Sequence, residues 1–360
     1  VCWGGVALCA HMLRALRFVF STERNRKIFR RLFPPDFFAA FIDVGHFVRD
    51  LERYLPLTHQ LQRLPPDMRQ KIHEALAEVN VVRGPSHPPV RDYAVLELLG
   101  KGAFGSVYQV KKASGETLYA MKELPMDAVS AYGGEGEASS EGTATLVKRE
   151  VAILSKLKHP NIIRYYESFE HGSSLYIVME LVEGVTLLDH LNTLSEKGES
   201  LEEDRIWSIF SQLTLALRYI HKEQRVVHRD LTPSNIMLSV DDVVKMADFG
   251  LAKQREGTAT EVMDSVVGTV LYQCPEIVQH ETYGEKADLW SLGCILYQMA
   301  MLKPPFEGGN PLSVARKIVE GQYPPLASPN GVFSPLLAEV VSKLLTVDPN
   351  ERPDILETAR

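Results

Sequence analysis

The amino-acid sequence predicts an α+β chain, a helical segment followed by a domain that mixes short strands with helices. Three observations carry this. Phenylalanines recur at helical spacing near the start, with Phe29, Phe33, Phe37 and Phe41 lining one face. Apolar runs at Tyr93–Leu99 and around Tyr119–Met121 flank a glycine-rich turn, as the strands of a small sheet do. Lys148–Leu157 then places its apolar residues at helical spacing and stops at His159-Pro160-Asn161. With 360 residues, 45% of them hydrophobic, the chain has room for one domain of about 270 residues beside a smaller helical piece.

Residues 1–83 are the helical segment. Eight of the fourteen Phe lie between Phe18 and Phe47, interleaved with Arg and Lys, so aromatic faces rather than polar loops dominate here. Pro34-Pro35-Asp36 and Pro65-Pro66-Asp67 echo each other where helices can start, which suits stacked helices of the armadillo kind and also an unrelated helical packing. The basic stretch Arg24–Arg31 reads as a solvated helix face. Gly84, Pro85, Pro88 and Pro89 mark a linker over 84–90. His11, Arg14 and Arg17 interrupt the first twenty residues, and no run of eighteen uncharged apolar residues follows, so no membrane-spanning helix is expected. Without an initiator Met the chain reads as a piece of a longer protein.

The net charge of -7 gives no reason to expect nucleic acid or an anionic membrane as partner. Cys2, Cys9, Cys274 and Cys294 form no metal-ligand spacing and read as reduced thiols, which points to a cytoplasmic or nuclear location.

From Tyr93 onward the chain carries chemistry. Leu99-Gly100-Lys101-Gly102-Ala103-Phe104-Gly105-Ser106-Val107 is a glycine-rich loop, which can bring backbone N–H groups against phosphate oxygens or simply turn a hairpin. Lys122 follows in an apolar strand, seventeen residues after Gly105, where its ammonium either reaches a phosphate or snorkels to solvent. A lysine held for catalysis needs a carboxylate. Glu150 in the helix 148–157 is the candidate, against the alternative of a solvated helix glutamate.

The most informative stretch is His228-Arg229-Asp230-Leu231-Thr232-Pro233-Ser234-Asn235, with Asp248-Phe249-Gly250 beginning thirteen residues after the Asn. Phosphoryl transfer needs an acceptor for a hydroxyl proton, which suits Asp230, and hard oxygen ligands for Mg2+, which suit Asn235 and Asp248. With these motifs in this order, residues 91–360 resemble a eukaryotic protein kinase domain, and more closely one of the NIMA-related family. Leu157-Lys158-His159-Pro160-Asn161-Ile162-Ile163-Arg164-Tyr165-Tyr166, Leu175-Tyr176-Ile177-Val178-Met179-Glu180 and Asp248-Phe249-Gly250-Leu251-Ala252 carry the closer match. Thr232, together with a helical segment in front, resembles the branch of that family whose catalytic domain is flanked by armadillo-type and coiled-coil sequence.

The resemblance implies a two-lobed protein kinase fold: a small, mainly antiparallel β lobe over about 91–181 and a helical lobe over about 182–360, its final helix cut short at Arg360. It implies a serine/threonine kinase that uses ATP and Mg2+ and acts on protein substrates, with Lys122 and Glu150 paired and Asp230 as the base. Met179 matches the gatekeeper. The Glu180 carbonyl and the Val182 amide match the hinge that bonds adenine, with Ala120, Val107 and Met237 around the base. Ser265, four residues before Thr269, matches the residue phosphorylated on activation, and its phosphate would pair with Arg229. Thr258 and Thr260 are weaker candidates. Glu276 and Arg352 match a buried ion pair. Asp288 matches an anchor for the catalytic-loop backbone, although an Asp opening a helix also suits a cap.

Two departures stand out. Serine/threonine kinases carry Lys two residues after the catalytic Asp, and Thr232 stands there instead, which leaves the acceptor class open between Ser/Thr and Tyr. One charge is missing from the transition-state shell, and such groups are worth about 2 to 4 kcal/mol each. Residues 127–144 hold four acids and no base among Gly, Ser and Ala, the composition of a disordered acidic loop leading into the helix of Glu150. The rival reading is a weakly active or inactive pseudokinase scaffold that recruits protein partners, in part through the N-terminal helices.

Overall fold

The computed structural model describes residues 88–102, 105–126, 151, 153–239, 242–248, 270–326 and 333–359, together with Leu13, Phe37, Phe41, residues 51–63 and Pro65. The chain divides into two compact units, Val1–Gly84 and Pro85–Arg360.

In the first unit a 3-10 turn at Leu51–Tyr54 leads into helix α1 (Leu55–Arg63). Pro56 falls in its first turn, where a missing N–H removes no helical bond. Phe37 and Phe41 are helical and buried, and their rings stack with centroids 6.4 Å apart, as the four-residue spacing predicts. Phe29 and Phe33 lie outside the described residues, as does any armadillo-like stacking.

The second unit opens on a five-stranded antiparallel sheet of β1 (Tyr93–Gly102), β2 (Gly105–Lys112), β3 (Leu118–Pro125), β4 (Tyr165–His171) and β5 (Ser174–Glu180), in the order β1-β2-β3-β5-β4. Alternation places Tyr93, Val95, Val110, Met121, Phe169, Tyr176 and Val178 on one face. Leu124, Leu175 and Ile177 face the other way, against Val151. Both faces of β5 are therefore covered, which explains why Leu175-Tyr176-Ile177-Val178 reads as an unbroken apolar run. Phe169 stacks on Tyr176 at 5.7 Å, and the Arg91 guanidinium lies 4.2 Å over Phe169, closing the sheet where the chain enters it.

The rest is mainly helical. A short sheet of β6 (Gly184–Thr186), β7 (Ile236–Ser239) and β8 (Val244–Met246) sits beside α2 (Leu187–Lys197) and α3 (Glu203–Arg218). Then follow α4 (Pro275–Val278), α5 (Lys286–Met301), α6 (Pro311–Glu320), α7 (Pro335–Leu344) and α8 (Ile355–Thr358). Side-chain caps start four of these helices: Thr186 for α2, Asn310 for α6, Ser334 for α7, and Asp354 in a capping box with Glu357 for α8. Each such cap contributes about 1 kcal/mol. Buried residues surround α5 almost completely, as its all-round apolar sequence requires, and Trp290 stacks on Phe306 at 5.4 Å. This helix is the floor on which the polar cluster of residues 228–248 is built.

Candidate active site

The loop from His228 to Asn235 hangs from one carboxylate of α5. Asp288 Oδ2 accepts from the backbone N–H of His228 at 2.7 Å and pairs with His221 Nε2 at 2.8 Å, while Oδ1 accepts from the Arg229 N–H at 2.9 Å. Arg229 sits at φ 67°, a left-handed conformation that costs an L-residue about 1 kcal/mol or more, and these bonds hold it there. Asp288 is an anchor and not a cap: it is buried, and its oxygens are spent on the loop and on the end of α3.

His228 joins the two halves of the site. Burial keeps its imidazole below the usual pKa and hence neutral. A neutral ring has one donor and one acceptor, which matches its surroundings: Nε2–H donates to the Ala247 carbonyl at 3.1 Å, and Nδ1 accepts from the Asp230 N–H at 3.3 Å. Ala247 in turn donates its N–H to the Asn235 carbonyl at 2.8 Å. A 3-10 turn at Pro233–Asn235 swings Asn235 back, so that its Nδ2 reaches the Asp230 carbonyl at 2.8 Å and Asp230 Oδ2 at 3.2 Å. Both bonds use the amide nitrogen. The Oδ1 oxygen is the atom a hard cation would take.

Asp248, next to Ala247, lies at φ 51°, a region Asp tolerates better than most residues. Its Oδ1 is 2.5 Å from Lys122 Nζ, with the lysine side chain 15% exposed and the aspartate 43%. Lys122 stands on β3 opposite Val107 and Ile177, so the strand register aims it from the upper sheet at the carboxylate below. The partner of Lys122 among the described residues is thus Asp248. The expected partner, Glu150, lies outside them, as do Ala103, Phe104, Phe249, Gly250, Thr258, Thr260, Ser265, Thr269 and the acidic stretch 127–144.

The glycine-rich loop is the turn between β1 and β2, with Gly102 opposite Gly105. Gly105 sits at φ 156°, and a Cβ there would come within 1.8 Å of the Glu123 carbonyl on β3, so only glycine fits. At Gly100 an added Cβ would meet nothing within 4 Å, which leaves open space over it. Leu99, Lys101 and Gly100 are exposed, and Ser106 and Val107 are half-buried. Ala120 pairs with Met179 across β3 and β5, and Met179 packs on the Leu124–Val151–Leu175–Ile177 cluster. Glu180 ends β5, Val182 lies in the connector to β6, and Met237 on β7 pairs with Thr186 and Lys245.

Lower down, Arg352 Nη1 and Nη2 each meet one Glu276 oxygen at 2.9 Å, a fork with both side chains buried, as expected. Arg352 also donates to the carbonyls of Lys286, Thr346 and Val347. Thr232 is buried, and its hydroxyl pairs with that of Ser234 at 2.8 Å, so the neutral side chain is turned into its own loop. Three residues escaped the sequence reading: His221, Ser234 and Lys245. His221 and Lys245 are marked only by partners far along the chain, which a single sequence does not show, and Ser234 carries no signal of its own beside Thr232.

The donor set suits a divalent cation held jointly with phosphate. No group of three or more His, Cys, Asp or Glu that could hold a metal occurs among the described residues, whereas the Ala247 N–H bond to the Asn235 carbonyl ties the residue next to Asp248 to Asn235, so that one carboxylate and one amide are offered from neighbouring segments. Mg2+ takes one or two protein ligands in this way and leaves its remaining positions to phosphate and water.

Residues 93–360 match the family model described as the protein kinase domain. The chain is 49% identical to mouse serine/threonine-protein kinase Nek10 over 98% of its length, covering 31% of that protein. It is 38% identical to the Caenorhabditis elegans serine/threonine-protein kinase D1044.8 over 97% of its length, covering 35% of it. Identity to mouse Nek1 is also 38%, over 73% of the chain and 20% of that protein. The chain spans about a third or less of the length of these curated relatives.

Proposed function

The chain belongs to the protein kinase family, and from that premise we propose that it transfers the γ-phosphate of ATP to Ser or Thr hydroxyls of proteins. The observation that carries this is the hydrogen-bonded cluster in which His228, Asp230, Asn235 and Ala247 are fixed to one another, with Asp248 next in the chain and paired with Lys122. Asp230 takes the proton of the acceptor hydroxyl as it attacks, with Asn235 Nδ2 holding the carboxylate in place. Lys122 leaves Asp248 and pairs with the phosphates, and the glycine-rich turn above offers backbone N–H groups to them. Asn235 and Asp248 would hold Mg2+, which when bound neutralises phosphate charge. The hinge residues Glu180 and Val182 bond adenine through their backbones, with Ala120, Val107, Met179 and Met237 around it.

Other parts of the reading extend past this cluster. We propose that Ser265 is phosphorylated in the active form and pairs with Arg229. The N-terminal helices would stack in armadillo fashion and bind protein partners, and the location would be cytoplasmic or nuclear. Thr232 supports a second reading of acceptor choice. Turned toward Ser234, it supplies no cation to the acceptor side, which fits tyrosine acceptance beside serine and threonine, or a weakly active scaffold. Incubation of the purified chain with ATP, Mg2+ and a peptide library carrying all three hydroxyl acceptors tests the proposal. Phosphate transfer that is lost in Asp248→Asn supports it, and no transfer to any acceptor leaves the scaffold.

A further inference from the structure

Lys245 stands on β8, three residues ahead of Asp248. Its Nζ lies 2.8 Å from Glu180 Oε1 and 2.9 Å from Oε2, a forked contact to the last residue of β5. Glu180 is held on a second side as well. Its Oε2 accepts from the Arg164 N–H at 3.0 Å, and its own N–H donates to the Arg164 carbonyl at 2.8 Å. The two side chains are 17% and 27% exposed, so solvent screens this pair less than a surface pair.

The platform under Lys245 is itself fixed. Met246 donates to the Asn161 carbonyl at 2.8 Å and accepts from Ile163 at 2.9 Å, and Asn161 Nδ2 reaches the Val244 carbonyl at 3.0 Å. Gln212 Oε1 on α3 accepts from both Asn161 Nδ2 and the Val244 N–H, at 2.8 and 2.9 Å. These bonds hold β8 to partners other than Glu180. The backbone on either side of Lys245 is held independently of Glu180, and the Lys245 ammonium ties the end of β5 to it.

We propose that Lys245 is a positioning residue for the nucleotide: by clamping the Glu180 side chain it fixes the peptide whose carbonyl meets adenine. The inference rests on the nucleotide-binding function proposed above. An acceptor fixed before binding loses no conformational freedom when the ligand arrives, and affinity rises accordingly. Without the lysine, Glu180 keeps the Arg164 N–H but gains rotamers. It also becomes a half-buried anion without its counter-charge, close to a polyanionic ligand.

The test compares wild type, Lys245→Met, Lys245→Arg and Glu180→Gln for MgATP affinity, by displacement of a fluorescent ATP analogue, and for ATP KM, kcat and Tm. In Lys245→Met, Kd and KM for ATP rise together by roughly three- to tenfold, the scale of one partly buried ion pair, while kcat stays within about twofold. Lys245→Arg recovers most of the affinity. Glu180→Gln keeps an acceptor for Arg164 and removes only the charge, so it weakens ATP in the same direction and decides the matter should Lys245→Met not fold. Unchanged ATP affinity in both charge-removing variants overturns the inference, and so does tighter binding, which would make the pair a restraint on the lobes. Wild type that binds no MgATP overturns the nucleotide reading itself, whereas binding indifferent to both variants overturns this inference alone.

Discussion

At the scale of single residues, Asp248 is the sharpest test, since it is paired with Lys122 and offers the carboxylate that a cation would take. Asp248→Asn is expected to lower kcat by at least ~100-fold with an unchanged circular-dichroism spectrum, because the amide keeps the shape and loses the charge. Thr232→Lys is expected to raise the ratio of kcat/KM for Ser/Thr peptides to that for matched Tyr peptides. The longer lysine carries its ammonium past Ser234, and a positive charge beside Asp230 is the group that the shorter Thr232 lacks. An unchanged ratio would place acceptor choice elsewhere. A third expectation concerns pH. Burial, reinforced by the charges of Arg205 and Lys197, pushes the His190 pKa from 6.5 down to about 3. The folded state refuses a proton that the unfolded chain takes, so its stability is full above pH 6.5 and declines as pH falls from there toward 3. The slope reaches about 1.4 kcal/mol per pH unit, and His190→Gln should flatten the dependence of Tm on pH between neutrality and mild acid. Lys122, Asp230, Asn235 and Asp248 were legible in the sequence because order and spacing define them. His221 and Lys245 were not, because their partners lie 67 and 65 residues away.

At the scale of elements, the start of β2 at Gly105 is fitted closely against β3. Gly105→Ala would drive a methyl group into the Glu123 carbonyl, so β2 must shift from β3. A loss of about 1 to 3 kcal/mol is expected, seen as a lower Tm, together with a higher ATP KM. A Gly100→Ala change meets nothing and should leave Tm nearly unchanged. The start of β1 at Tyr93 and the helical face of Phe37 and Phe41 could be read from periodicity. The small sheet of β6, β7 and β8 could not, because strands as short as Gly184–Thr186 and Val244–Met246 hold too few residues to show an alternation. The pairing of Lys122 with Asp248 also escaped periodicity, since it depends on how β3 stands over the loop.

At the scale of the whole molecule, two buried acids on separate helices organise the lower lobe. One is Glu276, and Arg352→Met would leave it buried without its partner, costing about 3 to 5 kcal/mol; equilibrium denaturation against wild type measures this. The other is Asp288. Because the same two oxygens receive the loop amides and the histidine at the end of α3, the catalytic loop is expected to melt together with the core helix α5 and not before it. On heating, phosphotransfer should disappear over the same few degrees in which the core around α5 exposes Trp290, read by fluorescence in a variant whose Trp3 and Trp207 are replaced by Phe. The proposed activity is then expected to be gained or lost by the entire lobe at once.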